Sequence, residues 1–473
     1  MRLLTLGTAA LLLTLPVQPV WANPSSLIVQ AEDNTTPDSV DAEDISTDES
    51  PDSVDAPQQP LDEVDQLILE GLNQYDGSNL AEAKTILEQA LETAQANDNL
   101  PQQSFILTML GLVTVNQGDY QVAADFGQQA LTALEDVDDP QSTVVALNVI
   151  ARSNQARGNL SDGITYAQEA LKLADSIEFN SGRLNSLNIL ATSYGAIGEH
   201  SLALEATQLA IPLAQAEQDG QILLNVLNVA SSSLLDLGEY ETALIAAQDA
   251  LTVATELESQ AGKALALSNM GVAHYRLEDL ETAIEVQTEA LELAEELGAL
   301  DIQFTSLYVL ALAHYDQDDV DQAIDFYQRR LALSRESNAV GAELQSLLWL
   351  GSAYLDSDRY EDAIASFDEL LNLAEERNQP VFKSWSLSGL GFANAQLENY
   401  PAAQGHFEQA LAIAKNTGNR QAEFGFLSLL AEVHQAQDNT EQAENYAAQA
   451  AALQAEAEAE TETESAPTAP DEE

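Results

Sequence analysis

Residues 107–134 read LTMLGLVTVNQGDYQVAADFGQQALTAL. Leu107, Leu110, Gly111 and Thr114 fall at i, i+3, i+4 and i+7, one stripe of a helix, and Ala123, Phe126, Ala130, Leu131 and Leu134 make a second stripe. Between them stands Gly118-Asp119-Tyr120. Glycine there allows the positive-φ residue that ends a helix, and the polar residue after it can cap the next one. The stretch therefore predicts a helical hairpin.

The hairpin recurs. Leu occupies positions 67, 107, 147, 187, 227, 267, 307, 347, 387 and 427, ten times at an interval of 40. Gly71, Gly111, Ala151, Ala191, Ser231, Gly271, Ala311, Gly351, Gly391 and Ala431 form a small column, and Ala83, Ala123, Gly163, Ala203, Ala243, Ala283, Ala323, Ala363, Ala403 and Ala443 form another. The Gly118 turn is matched by Gly158-Asn159, Gly198-Glu199 and Gly238-Glu239. Later units place Glu278, Asp318, Asp358, Glu398 and Asp438 at the glycine position, so a different turn is expected there. Asp138-Asp139-Pro140, Asn180-Ser181-Gly182, Asp219-Gly220 and Asn378-Gln379-Pro380 break the chain between units. Equal units without insertion imply one supersecondary element stacked ten times, an all-α chain.

Composition agrees and excludes several functions. The 473 residues include 78 Asp plus Glu against 16 Lys plus Arg, for a formal charge of −62. A nucleic acid partner is excluded, because phosphate binding is driven by cationic side chains that displace counterions. The absence of Cys removes disulfides, thiolate nucleophiles and Cys-type zinc sites together. With 45% apolar but only 6% aromatic residues, the interior is expected to be largely Leu and Ala, both good helix formers.

Four regions are expected. Residues 1–22 carry Arg2, an apolar run from Leu3 to Leu15 and a small-residue ending at Ala22, the pattern of a cleaved signal peptide. The run is shorter than the ~20 residues of a membrane span, so no stable membrane insertion is expected after cleavage, and the mature chain is placed in the periplasm or outside the cell. Residues 23–60 hold ten acids and no Lys or Arg, and read as a disordered acidic linker. Residues 61–455 are the repeats, and 456–473 read as a disordered acidic tail.

The columns resemble the tetratricopeptide repeat, whose signature pairs Leu and Gly on the first helix with Ala-x6-Ala-Leu on the second. Here that is Leu-x2-Leu-Gly at 107–111, Gly-Asp-Tyr-x2-Ala at 118–123 and Ala130-Leu131, over about 390 residues. Small residues are needed where the two helices cross, since a large side chain would prise them apart. The units carry six residues more than the common 34-residue form and lack its closing proline, having Glu135 and Asp175 there. Longer helices follow, as in kinesin light chain and bacterial peptide-sensing regulators. The resemblance implies a right-handed α-α superhelical solenoid of about ten hairpins that binds a peptide or protein in its concave groove.

Catalytic and metal patterns are weak beside this. His274, His314 and His434 share one column, but adjacent repeats hold such side chains about 10 Å apart, too far to share a metal. Asp316, Asp318, Asp319 and Asp321 depart from a calcium loop, with Val320 fifth and Tyr327 twelfth. No nucleophile, base and orienter come together, so neither an enzyme nor a cofactor is expected.

The groove carries the candidates. Positions one, five and eight residues after the recurring Leu are expected to point into it. Asn148, Asn188, Asn228 and Ser268 open the first column, and an amide there offers a peptide backbone both donor and acceptor. Tyr275, Tyr308, Tyr315, Trp385 and Phe392 supply aromatic anchors further on. Arg152 and Arg276 stand out because bases are scarce, and either suits a ligand carboxylate or an acid on the next repeat. The sixty acids and fifteen bases between the tails are spread over every repeat. That spread suits solubility, and in a second reading it makes the protein a structural or cation-binding acidic component of the cell envelope.

Overall fold

The structure, a computed structural model, describes residues 62–464, with side chains to residue 456. The expected signal peptide and acidic linker lie outside those residues. The described residues form twenty helices and no strand, paired as ten hairpins. These are α1 (Glu63–Asp76) with α2 (Leu80–Ala96), α3 (Leu100–Asn116) with α4 (Tyr120–Leu134), α5 (Pro140–Ala156) with α6 (Leu160–Ser176), α7 (Asn180–Ala196) with α8 (His200–Glu217), and α9 (Gly220–Asp236) with α10 (Tyr240–Glu256). There follow α11 (Gln260–Arg276) with α12 (Leu280–Leu297), α13 (Leu300–Asp316) with α14 (Val320–Glu336), α15 (Val340–Asp356) with α16 (Tyr360–Glu376), α17 (Pro380–Gln396) with α18 (Tyr400–Thr417), and α19 (Arg420–Ala436) with α20 (Thr440–Glu464). The helix α20 runs through Glu464, past the expected array boundary at 455. The helices group into two compact units, one ending at Gln303 and the other beginning at Phe304.

The joints are the most regular feature. Residues with positive φ recur every twenty positions, six of them glycine and twelve not, with Asp138 the single skipped place among the described residues. At the Gly118 joint, the Gly118 N–H donates to the Val115 carbonyl (2.9 Å) and the Asp119 N–H to the Thr114 carbonyl (3.0 Å), the paired bonds of a Schellman cap. Glu278 and Asp279 make the same two bonds, to Tyr275 and His274 at 3.0 and 2.9 Å. The expectation of a different turn where glycine is missing is thus corrected: Ser78, Glu278, Asp318, Asp358, Glu398 and Asp438 hold φ of 56–63°, close to the 76–80° of the four glycines. At the hairpin turns the same two hydrogen bonds hold side-chain residues where glycine would be unstrained, at roughly 1 kcal/mol each. The exception lies between α4 and α5, where α4 stops at Leu134 and the chain descends through short bonds such as Val137 N–H to the Leu134 carbonyl (3.2 Å).

Capping is divided differently from expectation. Asp119, Asn159, Glu199 and Glu239 stand at the N-cap, yet their side chains accept no capping bond. The capping side chains are mostly those between hairpins, such as Asn99, Asp139, Asp219, Ser259 and Asn419, each accepting from the N–H three residues on. In several hairpin turns, a residue of the preceding helix meets the N-cap side chain from five positions back. Asn394 accepts from Asn399 (2.9 Å), and His274 Nδ1 lies 3.0 Å from Asp279 Oδ2. His314 stacks on Phe326 and His434 on Tyr446, with ring centroids 5.5 and 5.4 Å apart.

Inside each hairpin the two small columns do meet. Ser231 Oγ donates to the Ala243 carbonyl at 3.0 Å, and a Cβ on Gly163 would lie 3.1 Å from the Ala151 carbonyl. Ala83, Ala123, Ala203, Ala243, Ala283, Ala323, Ala363 and Ala403 have no exposed surface. A second pairing joins the first small column to the residue sixteen places on. A Cβ on Gly71 would lie 2.8 Å from Leu87, on Gly351 2.8 Å from Phe367, and on Gly391 2.3 Å from Phe407. Glycine is required there because the opposing helix brings a large side chain against its backbone.

Candidate functional site

In the unit that ends at Gln303, the first helices of four successive hairpins open a cleft of about 110 Å³, with Tyr75 of α1 at its edge. Three of the sequence-derived candidates, Asn148, Arg152 and Asn188, line it together. So do Asn116, Ser181, Asn185, Gln221 and Asn225, which counting forward from the recurring leucines missed. Residues 181, 185 and 188 lie at i, i+4 and i+7 on α7, so one helical face carries Asn188 together with Ser181 and Asn185. That spacing was the available signal.

The three stacked asparagines are not equivalent. Asn148 is buried, and its Nδ2 donates to the Gly182 carbonyl (3.1 Å) while Ser186 Oγ donates to its Oδ1 (2.8 Å). Gly182 permits this because a Cβ there would lie 2.4 Å from the Phe179 ring and 2.6 Å from Val144. Asn148 is therefore occupied in bonding one hairpin to the next. The residue 38 positions on, which supplies that hydroxyl, is Val226 for Asn188 and Ala266 for Asn228. Neither side chain can donate, and the Oδ1 atoms of Asn188 and Asn228 are buried without a partner among the described residues. Asn188 lines the cleft and Asn228 does not. Ser181 Oγ, also in the lining, is buried without a partner among the described residues.

Arg152 is half-buried in the lining and forms no ion pair among those of the described residues. Its visible electrostatic neighbour is Tyr75, whose hydroxyl accepts from Asn116 Nδ2 at 2.8 Å. Burial pushes the Tyr75 pKa up, opposed by the hydrogen bond from Asn116 and by the Arg152 charge. The acid in the lining, Asp219, uses Oδ1 to cap α9 through the Ile222 N–H (2.9 Å).

The remaining candidates fall elsewhere. Ser268 is buried, and its carbonyl accepts from Gln287 Nε2 at 2.9 Å. Tyr275 is half-buried outside the cleft. Arg276 sits over the Tyr240 ring at 5.9 Å, and its charge counters the burial that raises the Asp236 pKa. In the unit beginning at Phe304, Tyr308 lies against Trp349 at 6.3 Å and under Arg330 at 5.3 Å, while Trp385 meets Phe382 edge-on at 5.3 Å. Tyr315 donates to Asp356, and burial together with that acid pushes its pKa well above the ordinary phenol range. Phe392 is corrected to a core residue: it is 1% exposed and packs edge-on against Phe407 at 5.4 Å, because Gly391 beside it lets the helices close.

Comparison with known proteins places this geometry. The family pattern described as tetratricopeptide repeat matches residues 222–296, 262–336 and 343–416, which fall in the fifth to ninth hairpins. Among solved structures, the apo form of RapI aligns at TM-score 0.53 and 13% identity, over 76% of this chain and 99% of its own. The Pyrococcus horikoshii signal transduction ATPase with numerous domains, which has a tetratricopeptide repeat sensor, aligns at TM-score 0.51 and 13% identity, over 72% of this chain and 54% of its own. No curated protein matches the sequence. The fold is thus an all-α tetratricopeptide-type solenoid.

Proposed function

We propose that this chain is an exported, non-catalytic scaffold that holds an extended peptide, or an extended segment of a protein, against the first helices of its second to fifth hairpins. One observation carries the reading: amide and hydroxyl groups, some with buried atoms that no described residue satisfies, gather with an arginine in one open cleft. An unmade buried hydrogen bond costs about 1–3 kcal/mol, so a ligand that makes such bonds recovers what the fold forgoes. An extended backbone presents alternating donors and acceptors, the complement of a row of amides. The repeat array of the Pyrococcus horikoshii ATPase is described as a sensor, a role of the same kind.

The test is selection from a displayed library of random decapeptides, followed by amide hydrogen exchange on the bound full chain. Exchange is expected to slow across α7 and α9, with the second helices α8 and α10 unchanged. Failure to select a saturable binder, or protection confined to α8 and α10, overturns the reading. Export is tested separately, by the N-terminal sequence of the mature protein, expected to begin after Ala22.

A further inference from the structure

We propose that the last hairpin, α19 with α20, is a self-association surface through which two copies of this chain meet about a two-fold axis. The proposal is independent of the groove reading. It starts from what covers each hairpin. Val149 and Ile150 pack on Gly111 and Gly127 of the hairpin before theirs, and Val144 packs on Gly182 of the hairpin after its own. Cβ atoms added to those glycines would come within 2.9, 2.7 and 2.6 Å of them. The columns of Gly111, Gly127 and Val144 thus face the hairpin that follows. In the last hairpin their members are Ala431, Ala447 and Phe424. Phe424 is 38% exposed, where Val144, Leu184, Leu224 and Leu344 are 2% exposed or less. Ala431 is half-buried and Ala447 exposed, where Ala151, Ala191, Ala167 and Ala247 have no exposed surface. Ala451, one turn further along α20, is exposed in the column of the buried Leu291, Leu331 and Leu411.

The residues that follow do not continue the array over this face. At the next beat a leucine and a small residue would stand at 467 and 471, and Pro467 and Asp471 stand there instead. Two features point to a second copy, joined last hairpin to last hairpin. The surface is one that earlier hairpins bury against a hairpin of the same kind, so its complement already exists in this chain. The first hairpin, however, is barred from supplying it. The residue that covers the Gly127 column is apolar in every hairpin from Leu110 and Ile150 to Leu390 and Leu430, but in α1 it is the exposed Glu70. Head-to-tail stacking would bury that carboxylate on Ala447 without a partner. The arrangement left is isologous and closed. Phe424 and Ala431 lie seven residues apart on α19, about two turns. With Ser428 near the axis, each Phe424 meets the partner's Ala431, a large side chain against a small one, as Phe367 meets Gly351 within a hairpin. The formal charge of −62 on each copy opposes the approach, and salt screens that repulsion.

The experiment is sedimentation velocity of the full chain from about 1 to 100 μM, in about 0.05 and 0.5 M salt. A dimer is expected, more populated at the higher salt, with no larger species. Phe424→Glu and Ala447→Glu are each expected to weaken it about 10- to 100-fold, with circular dichroism unchanged because both side chains are exposed. Leu69→Glu, on the exposed side of α1, is expected to leave the dimer intact. A monomer at every concentration and both salts overturns the proposal, and so does a dimer indifferent to Phe424→Glu and Ala447→Glu. Loss of association in Leu69→Glu, or species that keep growing with concentration, overturns it in favour of head-to-tail stacking. A second measurement needs no loss of binding. The chain has no Cys, so Ser428→Cys carries a single thiol beside the axis and is expected to form a covalent dimer on oxidation, faster than Leu69→Cys. Equal or slower cross-linking of Ser428→Cys overturns the two-fold arrangement.

Discussion

The two units share one kind of joint but fill the middle of the first and most of the second in different ways. After Phe304 the residues facing the small column are Tyr327, Phe367 and Phe407, set against Ala311, Gly351 and Gly391. Before Gln303 the first and last hairpins also set a large side chain on glycine, Leu87 on Gly71 and Gln287 on Gly271, but the four between them have Gly127, Ala167, Thr207 and Ala247 set against Gly111, Ala151, Ala191 and Ser231. At Gly111 and Gly127 both members are glycine, and Val149 and Ile150 of the next hairpin occupy the gap, 2.9 and 2.7 Å from where Cβ atoms would stand. Close packing of the pair, rather than the identity of either residue, keeps the helices at their crossing. The inner faces differ too: amides and an arginine before Gln303, and half-buried rings such as Tyr308, Trp349 and Trp385, packed on the core, after Phe304.

This contrast can be broken most sharply at Phe367, which has no exposed surface. Phe367→Ala is expected to cost about 3–5 kcal/mol of stability, read as a lower denaturant midpoint from the fluorescence of Trp349 and Trp385. A loss below 1 kcal/mol would show that the aromatic filling is dispensable. Gly351→Ala should cost about 1–3 kcal/mol through overpacking against the Phe367 ring, and Phe367→Leu in the same chain should return most of it. If the pair of changes is no better than the single one, size matching is not what ties these columns.

In the unit ending at Gln303 the expected effects come from polar groups. Ser186→Ala removes the donor to the buried Asn148 Oδ1 and is expected to cost about 1–3 kcal/mol by circular dichroism in denaturant. Both units share the strained joints, so Glu278→Gly and Glu398→Gly are each expected to gain roughly 0.5–1 kcal/mol, while Gly158→Ala loses a similar amount. Gains in one unit only would mean that the joints are not equivalent. The smallest effect is that of pH. Burial raises the pKa of Asp236 and Asp301 in one unit, and of Asp356 and Glu432 in the other. In each case the folded state binds protons more readily than the unfolded one, so stability is expected to rise as pH falls from neutral through these raised values. Asp62 and Asp279 have lowered pKa values, chiefly from bonds with Asp65 and Thr282, and their contribution is lost as pH falls further, below the ordinary carboxylate value of 3.8. Thermal unfolding at stepped pH checks both signs.

The recurring leucines and alanines made the hairpins legible because each column answers to one local requirement, burial or closeness. The joints were half legible: Gly118 announces positive φ, whereas Glu278 and Glu398 adopt it only because the hydrogen bonds of the joint hold them there. The match of Gly351 with Phe367 escaped a reading of columns one at a time, since it is a relation between two columns. In the cleft, Arg152 and Asn188 were visible as rare or repeated residues. The distinction between Asn148 and Asn188 was not, because it depends on Ser186 and Val226, one hairpin further along the chain.

The even beat of the joints has a genetic consequence. Since a cap, a left-handed residue and a helix start return at a fixed count, excising or duplicating one whole hairpin re-creates the same seams on either side. A lineage carrying such a chain can lengthen or shorten it by recombination between its own copies without inventing a new loop. The stretch from Glu135 to Asp139, the one seam among the described residues without a left-handed residue, marks where such an exchange would have to splice unlike ends.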